Sequence, residues 1–346
     1  MLEPQFLFIT CQVGAEGTVK RELARRWPAF RFAYSRPGFL TFKLPPGHGL
    51  AEDFDLESVF ARAYGFSLGR VNDKTLAEQV EAVWRLAGDE KFGALHVWPR
   101  DRYAVGDHSF EPSLVDDSRR VEAALRAAAR TPLPEAVWPT PSTQRVLDVV
   151  LIDLNEWFVG YHTTRSGASR WPGGLGDLKL PEDAVSRAYL KMEEGLRWSQ
   201  LPIRIGDLVV EIGCAPGGSC QALLRRGLRV VGVDPAEVDE RVTSDKNFAH
   251  WRMRGSEVKR REFVGVRWLT ADMNVTPQYT LDTVEAIVTH PEVDIRGLLL
   301  TLKLSNWELA DELPGFLSRI RSWGYEQVRA RQLQHNRHEV CVAGLK

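Results

Sequence analysis

The sequence predicts an α/β chain: a doubly wound C-terminal sheet with an antiparallel edge, preceded by two smaller α+β modules. Three observations carry this. Leu208 to Ile212 is an apolar run of the kind covered on both faces of a parallel sheet. It leads through Gly213, Gly217 and Gly218 into a helix and a second apolar run, Val230 to Val233, ending at Asp234. From Pro181 onward, strand-like and helix-like segments alternate, as in a doubly wound sheet. Before Val71 the order reads strand, helix, strand, strand, helix, strand, which is that of a ferredoxin-like unit.

The chain of 346 residues has room for two or three domains and a sizeable core. Its formal net charge of −1 announces no nucleic-acid partner globally, so any basic surface must be local. Cys11, Cys214, Cys220 and Cys341 are scattered, with neither metal-ligand nor C-x-x-C spacing. A reducing compartment and no metal site are expected. The start shows no basic segment followed by an apolar one, and no apolar run is long enough to cross a bilayer, so a soluble cytoplasmic protein without membrane association is expected.

In order, Phe6–Cys11 reads as a strand and Thr18–Arg26 as a helix. Phe30–Tyr34 and Gly38–Lys43 read as two strands, Leu56–Ala63 as a second helix and Phe66–Val71 as a strand. The second module has a helix at Thr75–Ala87, a strand at Ala94–Trp98, a polar irregular stretch from Pro99 to Pro112, a helix at Ser118–Ala129 and a hairpin over Arg145–Asp153 and Glu156–His162. The helix carries Arg119, Arg120 and Arg126, with Arg130 just beyond, as either a solvated face or an RNA-facing one. Thr163 to Lys179 is a long Gly-, Ser- and Arg-containing linker. Its Arg165, Arg170 and Trp171 could grip a phosphate backbone and stack on a base, or simply connect domains. The C-terminal strands are expected at Val209–Ile212, Val230–Val233, Arg267–Thr270, Glu285–Thr289, Gly297–Lys303, Val328–Arg331 and His338–Ala343, with a helix over Leu309–Trp323.

The glycine-rich turn points to the cofactor. A dinucleotide site wants G-x-G-x-x-G, so that amides cradle a pyrophosphate. Here the strand ends Glu211-Ile212-Gly213-Cys214-Ala215-Pro216-Gly217-Gly218. A carboxylate there repels a pyrophosphate and attracts the cationic amino-acid end of S-adenosylmethionine. Asp234 is placed to accept ribose hydroxyls. Asp272, after the strand Trp268-Leu269-Thr270-Ala271, is expected to hold the adenine amino group.

Two lysines and a glutamate stand in apolar surroundings: Lys191 in Tyr189-Leu190-Lys191-Met192, Lys303 at the end of Leu298–Leu302, and Glu339 before Val340-Cys341-Val342. A lysine desolvated among other cations has its pKa lowered toward neutrality, where it can serve as a base. The plain alternative for each is a snorkelling or salt-bridged surface residue.

Ser186-Arg187-Ala188-Tyr189-Leu190-Lys191-Met192-Glu193-Glu194, the Gly213–Gly218 loop, Leu302-Lys303-Leu304 and Arg331-Gln332-Leu333-Gln334-His335-Asn336-Arg337-His338-Glu339-Val340 closely resemble the FtsJ-like ribose 2′-O-methyltransferases. Within these, the closest likeness is to the bacterial subgroup that carries a THUMP domain and methylates a cytidine of 23S ribosomal RNA. The resemblance implies a ferredoxin-like domain over 1–71, a THUMP-like RNA-binding domain over 72–162, a linker over 163–180 and a Rossmann-like methyltransferase domain over 181–346. It implies S-adenosylmethionine as cofactor and structured RNA as partner. It also implies a Lys-Asp-Lys-Glu tetrad with Lys191, Lys303 and Glu339 in the first, third and fourth places, and Lys303 assisting deprotonation of a ribose 2′-hydroxyl.

The second place departs from that pattern: the family's aspartate is expected to follow the strand Ala286-Ile287-Val288. The aligned residue is then His290, in Thr289-His290-Pro291-Glu292-Val293-Asp294. A neutral histidine supplies no negative charge, and Glu292 or Asp294 could substitute only along a changed backbone path. The expectation is an RNA ribose 2′-O-methyltransferase with an altered site. The alternatives are a weakly active or inactive RNA-binding or assembly factor, or a relative repurposed for a small molecule.

Overall fold

The structure is a computed structural model that describes residues 3–72, 75–101, 116–165 and 167–346. Most of the irregular stretch expected over 99–112 therefore lies outside the described residues. The chain divides into two units, Met1–Asp177 and Leu178–Lys346.

The first unit contains β1 (Phe6–Cys11), α1 (Glu16–Arg26), β2 (Arg31–Arg36), β3 (Phe39–Lys43), β4 (Ala61–Val71), α2 (Leu76–Ala87), β5 (Ala94–Pro99), α3 (Asp116–Ala127), β6 (Arg145–Asp153) and β7 (Glu156–Thr163). Its seven strands form one sheet in the order β2-β3-β1-β4-β7-β6-β5. β4 pairs antiparallel with β7, so segments 1–71 and 72–162 are built on a continuous ladder. Thr75 and Glu78 close a capping box at the start of α2.

The helix expected over Leu56–Ala63 does not form. Glu57 sits in the left-handed region at φ 52°. The backbone there is satisfied by side chains instead: Tyr64 Oη accepts from Leu56 N at 3.1 Å, Trp27 Nε1 donates to Leu56 O at 3.1 Å, and Glu22 accepts from Val59 N at 2.8 Å. The ferredoxin-like order thus lacks its second helix. The segment called a linker is also not loose along its whole length. Gly173 and Gly174 adopt φ of 63° and 73°, and a Cβ on either would collide with the Trp98 indole or the Arg62 carbonyl of the first unit.

The second unit contains α4 (Ala188–Ser199), β8 (Leu208–Ile212), α5 (Gly218–Arg225), β9 (Arg229–Val233), a single turn α6 (Glu240–Thr243), β10 (Phe248–Trp251), β11 (Trp268–Ala271), α7 (Pro277–Val288), β12 (Gly297–Lys303), α8 (Leu313–Ser322), β13 (Gln327–Arg331) and β14 (Glu339–Leu345). The sheet order is β10-β9-β8-β11-β12-β14-β13, with β10 to β12 parallel along the sheet and β14 antiparallel to both neighbours. This is the expected doubly wound, Rossmann-like sheet with an antiparallel edge.

Residues 285–288 are the end of α7, not a strand. Thr276 caps the helix, accepting from Tyr279 N, and Pro277 occupies its first turn. The buried positions Leu281, Val284, Ile287 and Val288 recur at helical spacing. The β-branched run mimics a strand only when read without that start signal. The strand that takes its place in the sheet is β10, a partly exposed edge of mixed polarity that the apolar pattern missed.

Candidate active site

In an open α/β sheet, ligands bind at the carboxyl ends of the strands, where the winding direction reverses. Here the chain runs outward from β8 through β9 to β10, then returns to the other side of β8 to lay down β11 and β12. The reversal lies between β8 and β11. The residues at or just past those ends are Glu211, Gly213 and Asp272. Gly213 has φ 84°, and a Cβ on it would press on the Asp272 carbonyl and the Met273 side chain, each at 2.9 Å. Its lack of a side chain lets the loop after β8 lie against the residue after β11.

Asp272 does not stand free for an adenine. It faces two ammonium groups, with Lys303 Nζ 2.8 Å from Oδ1 and Lys191 Nζ 3.5 Å from Oδ2. Glu339 closes the arrangement, its Oε2 2.5 Å from Lys303 and its Oε1 2.5 Å from Lys191. Each lysine therefore lies between two carboxylates, in a ring of alternating charge. Asp272 stands between the two lysines, and His290 is not part of the ring. His290 follows α7 and contacts its own turn, its Nδ1 accepting from Glu292 N at 3.3 Å. Glu292 is exposed, and Asp294 pairs with Lys346 at 3.0 Å, so neither substitutes. Residues 286–288, expected as a strand, are helical, and the carboxylate beside the lysines follows β11 instead.

The four side chains come from four elements. Lys191 projects from the first turn of α4, Lys303 ends β12, Glu339 opens β14, and Lys303 and Glu339 are register partners. Asn336 Nδ2 donates to Glu339 Oε1 at 3.2 Å, and its Oδ1 accepts from Leu333 N at 3.0 Å. Glu194, one turn beyond Lys191 on α4, accepts from the amides of Gln334 and His335 at 2.7 and 2.9 Å. Residues 332–338, which lead into Glu339, are thereby tied to the helix that carries Lys191. Sequence reasoning gave Glu194 and Asn336 no role. The i, i+3 spacing from Lys191 was the available signal for Glu194.

Burial works to raise the Asp272 carboxyl, but Lys191 and Lys303 outweigh it and hold the group below the usual carboxylate range. Burial works to lower the Lys303 ammonium, but Asp272 and Glu339 outweigh it and hold the group above its ordinary value. Lys303 is thus not a lysine of lowered pKa at rest, because it is surrounded by carboxylates rather than by cations.

Beside the ring lie the residues expected to hold the cofactor. Glu211 is fully buried, accepts from Thr270 Oγ1, and its Oε1 has no hydrogen-bond partner among the described residues. Burial pushes its carboxyl up to about 8, against the hydrogen bonds from Thr270 and Ser219, with Asp272 adding to the rise. The half-buried Asp234 carboxylate ends β9 and accepts from Ala215 N at 3.2 Å and Ala236 N at 2.8 Å, which anchors the loop Gly213-Cys214-Ala215-Pro216-Gly217. Gly217 adopts φ 119°, and a Cβ on Gly218 would overlap Ser186 Oγ, so α5 begins hard against the segment leading into α4. An unpartnered buried carboxyl oxygen beneath a loop of small residues, with a second carboxylate at the next strand end, fits a cofactor that carries both an ammonium and a ribose.

The residues expected to meet RNA fall in the first unit and are partly engaged there. Arg165 donates to Asp53 O at 2.9 Å, Arg170 to Thr140 O at 2.6 Å, and Trp171 stacks on Trp138 with centroids 6.2 Å apart. On α3, Arg120 and Arg126 pair with Asp117 and Glu122. Among the described residues, no helix is long and apolar enough to cross a membrane.

Comparison with known proteins bears on the same region. Residues 184–313 match the family described as FtsJ-like methyltransferase. Ribosomal RNA large subunit methyltransferase M of Halorhodospira halophila is 26% identical over 99% of this chain and 97% of its own length. The protein of the same name from Methylococcus capsulatus is 28% identical over 82% of this chain and 79% of its own. That from Pseudomonas aeruginosa strain UCBPP-PA14 is 32% identical over 64% of each. The matched family segment spans β8, the glycine loop, Asp234, Asp272 and Lys303, and it begins just before Lys191. Within the second unit the likeness is to FtsJ-like methyltransferases over residues 184–313, and the chain is an S-adenosylmethionine-dependent methyltransferase.

Proposed function

We propose that the chain methylates a ribose 2′-hydroxyl of large-subunit ribosomal RNA, with Lys191, Asp272, Lys303 and Glu339 as its catalytic residues. The observation that carries this reading is the closed ring of two lysines and two carboxylates at the strand ends beside the glycine loop. The bound cofactor supplies a sulfonium methyl group open to in-line attack by an oxygen. The Gly213–Gly217 backbone, Glu211 and Asp234 would hold it.

The chain's own residues then have three tasks. Lys303 presents a fixed positive charge to the hydroxyl oxygen while the hydroxyl proton passes to solvent water, which favours the developing alkoxide. Asp272 and Glu339 keep that ammonium at one place, so little reorganisation is needed when charge develops. Lys191 balances the second oxygen of each carboxylate and leaves the ring neutral. Lys303 could itself accept that proton only after shedding its own to solvent, a loss that a further positive charge nearby would favour by offsetting the two carboxylates. The same residues give no reason to favour an inactive relative, because that reading rested on a missing carboxylate. The first unit, with its exposed arginines, is read as the part that grips RNA through phosphate and shape contacts.

The test is transfer of labelled methyl groups to unmodified large-subunit ribosomal RNA, with the product digested and the modified nucleoside identified. A 2′-O-methylated nucleoside is the expected product. Methylation on a base, or tight cofactor binding without transfer to any ribosomal RNA, would sink the reading.

A further inference from the structure

The first unit holds a cluster that the methyl-transfer chemistry does not use. His96 on β5 and Asp148 on β6 are register partners, and Asp148 faces Gly160 on β7, two residues before His162. All three side chains therefore emerge on the sheet face that also carries Trp98, Val150 and Phe158. His96 and Asp148 are completely buried, and the His162 side chain is 11% exposed. One ligand atom from each lies within 4.8 Å of the other two.

The outer contacts orient both imidazoles the same way. His162 Nε2 lies 2.8 Å from the Ser169 carbonyl, which can only accept, so Nε2 carries the proton and Nδ1 turns inward to within 2.6 Å of Asp148 Oδ2. His96 Nε2 lies 2.9 Å from Thr140 Oγ1, leaving Nδ1 inward. That Nδ1 has no partner among the described residues, and neither does Asp148 Oδ1. Two buried polar atoms left without partners are costly to the fold. A histidine whose distal nitrogen is held by an oxygen is the usual arrangement around a bound metal.

We propose that His96, Asp148 and His162 form a divalent-cation site, with Zn²⁺ as the ion, that ties β5, β6 and β7 together. Two imidazole nitrogens and one carboxylate oxygen suit Zn²⁺ better than Mg²⁺ or Ca²⁺, which prefer oxygen. The carboxylate offsets part of the ion's charge in a buried setting. In register terms the ion would bridge three adjacent strands and, through Thr140 and Ser169, the segments that lie over them. Its role is structural, and it stands independently of the proposed RNA substrate.

The test uses the full chain, freed of tag histidines and dialysed against a chelator, then titrated with Co²⁺ and Zn²⁺. The expected result is one Co²⁺ per chain with a visible d–d absorption, displaced by one Zn²⁺, and a Tm that rises with Zn²⁺. His96→Gln and Asp148→Asn should abolish stoichiometric uptake. Thr140→Val, which leaves all three ligands in place, should weaken it about 10–100-fold. No uptake by the wild-type chain would overturn the proposal. So would equal uptake by folded His96→Gln and wild-type chains or, should the ligand variants not fold, unchanged affinity in Thr140→Val.

Discussion

Lys303 and Glu339 face each other across adjacent antiparallel strands, Nζ 2.5 Å from Oε2, although 36 residues separate them. The contact exists because β14 inserts between β12 and β13 instead of extending the sheet beyond them. The antiparallel edge thus supplies the fourth member of the charged ring. Lys303 is a cation clamped by two carboxylates, and its consequences can be tested one residue at a time.

Lys303→Met removes the charge that meets the reacting oxygen while leaving the glycine loop untouched. Transfer should fall by about 10²–10³-fold or more. Cofactor affinity, followed by calorimetry, should change by less than about threefold, well under 1.4 kcal/mol. Equal loss of both would mean that Lys303 serves binding rather than chemistry.

His290→Ala should leave transfer unchanged. His290 lies in the connection that enters β12 at Gly297, whereas Lys303 ends that strand. Seven residues of strand separate the two ends, roughly 20 Å at ~3.3 Å per residue. A strong loss of transfer in a folded His290→Ala protein would contradict the assignment of Asp272 to the ring.

Asp272→Asn leaves two ammonium groups sharing one carboxylate. Because the lowered carboxyl is charged in the fold, it contributes stability above its unfolded value, and this is lost as pH falls through the folded one. At pH 7 the variant should be destabilised by on the order of 3 kcal/mol, read from urea unfolding. Its disadvantage against wild type should shrink below pH 4, where the unfolded carboxyl is also protonated.

Glu211 behaves in the opposite sense. Its folded pKa of about 8 exceeds the ordinary 4.5, so the fold holds the extra proton and stability falls as pH rises between those values. Each pH unit within the window costs up to about 1.4 kcal/mol. Glu211→Gln should therefore flatten the pH dependence of unfolding between pH 5 and 8 in the cofactor-free protein. Parallel curves for the two proteins would show that Glu211 is already ionised.

Glu194→Gln tests positioning. It weakens the acceptor for the Gln334 and His335 amides without touching the ring. KM for RNA should stay close to wild type while kcat falls by about 10-fold, consistent with a small misplacement of Glu339. A change confined to KM would assign Glu194 to substrate binding.

Local pattern determined much of this protein. The apolar runs at Leu208–Ile212 and Val230–Val233, the glycine turn and the carboxylates after them announce a doubly wound sheet and its cofactor loop. They do so because strand period, turn chemistry and strand-end position are all short-range properties. The motifs around Lys191, Lys303 and Glu339 were legible for the same reason. Three features were not. Residues 285–288 carry β-branched side chains that fit strand or helix, and the distant start signal at Thr276 and Pro277 together with the packing of Leu281, Val284 and Ile287 into the core selected the helix. Residues 56–60 could have closed helical hydrogen bonds, yet distant Trp27, Glu22 and Tyr64 satisfied them first. Asp272 looked like a ligand-binding carboxylate until β11 was laid beside β12, which set it between two lysines. Likewise, His96, Asp148 and His162 share no spacing along the chain and meet only because β5, β6 and β7 are neighbours. The sequence determined which chemical groups the chain carries and the local shape around each. Strand order decided which of them meet, because partners set by sheet topology have no period or spacing along the chain.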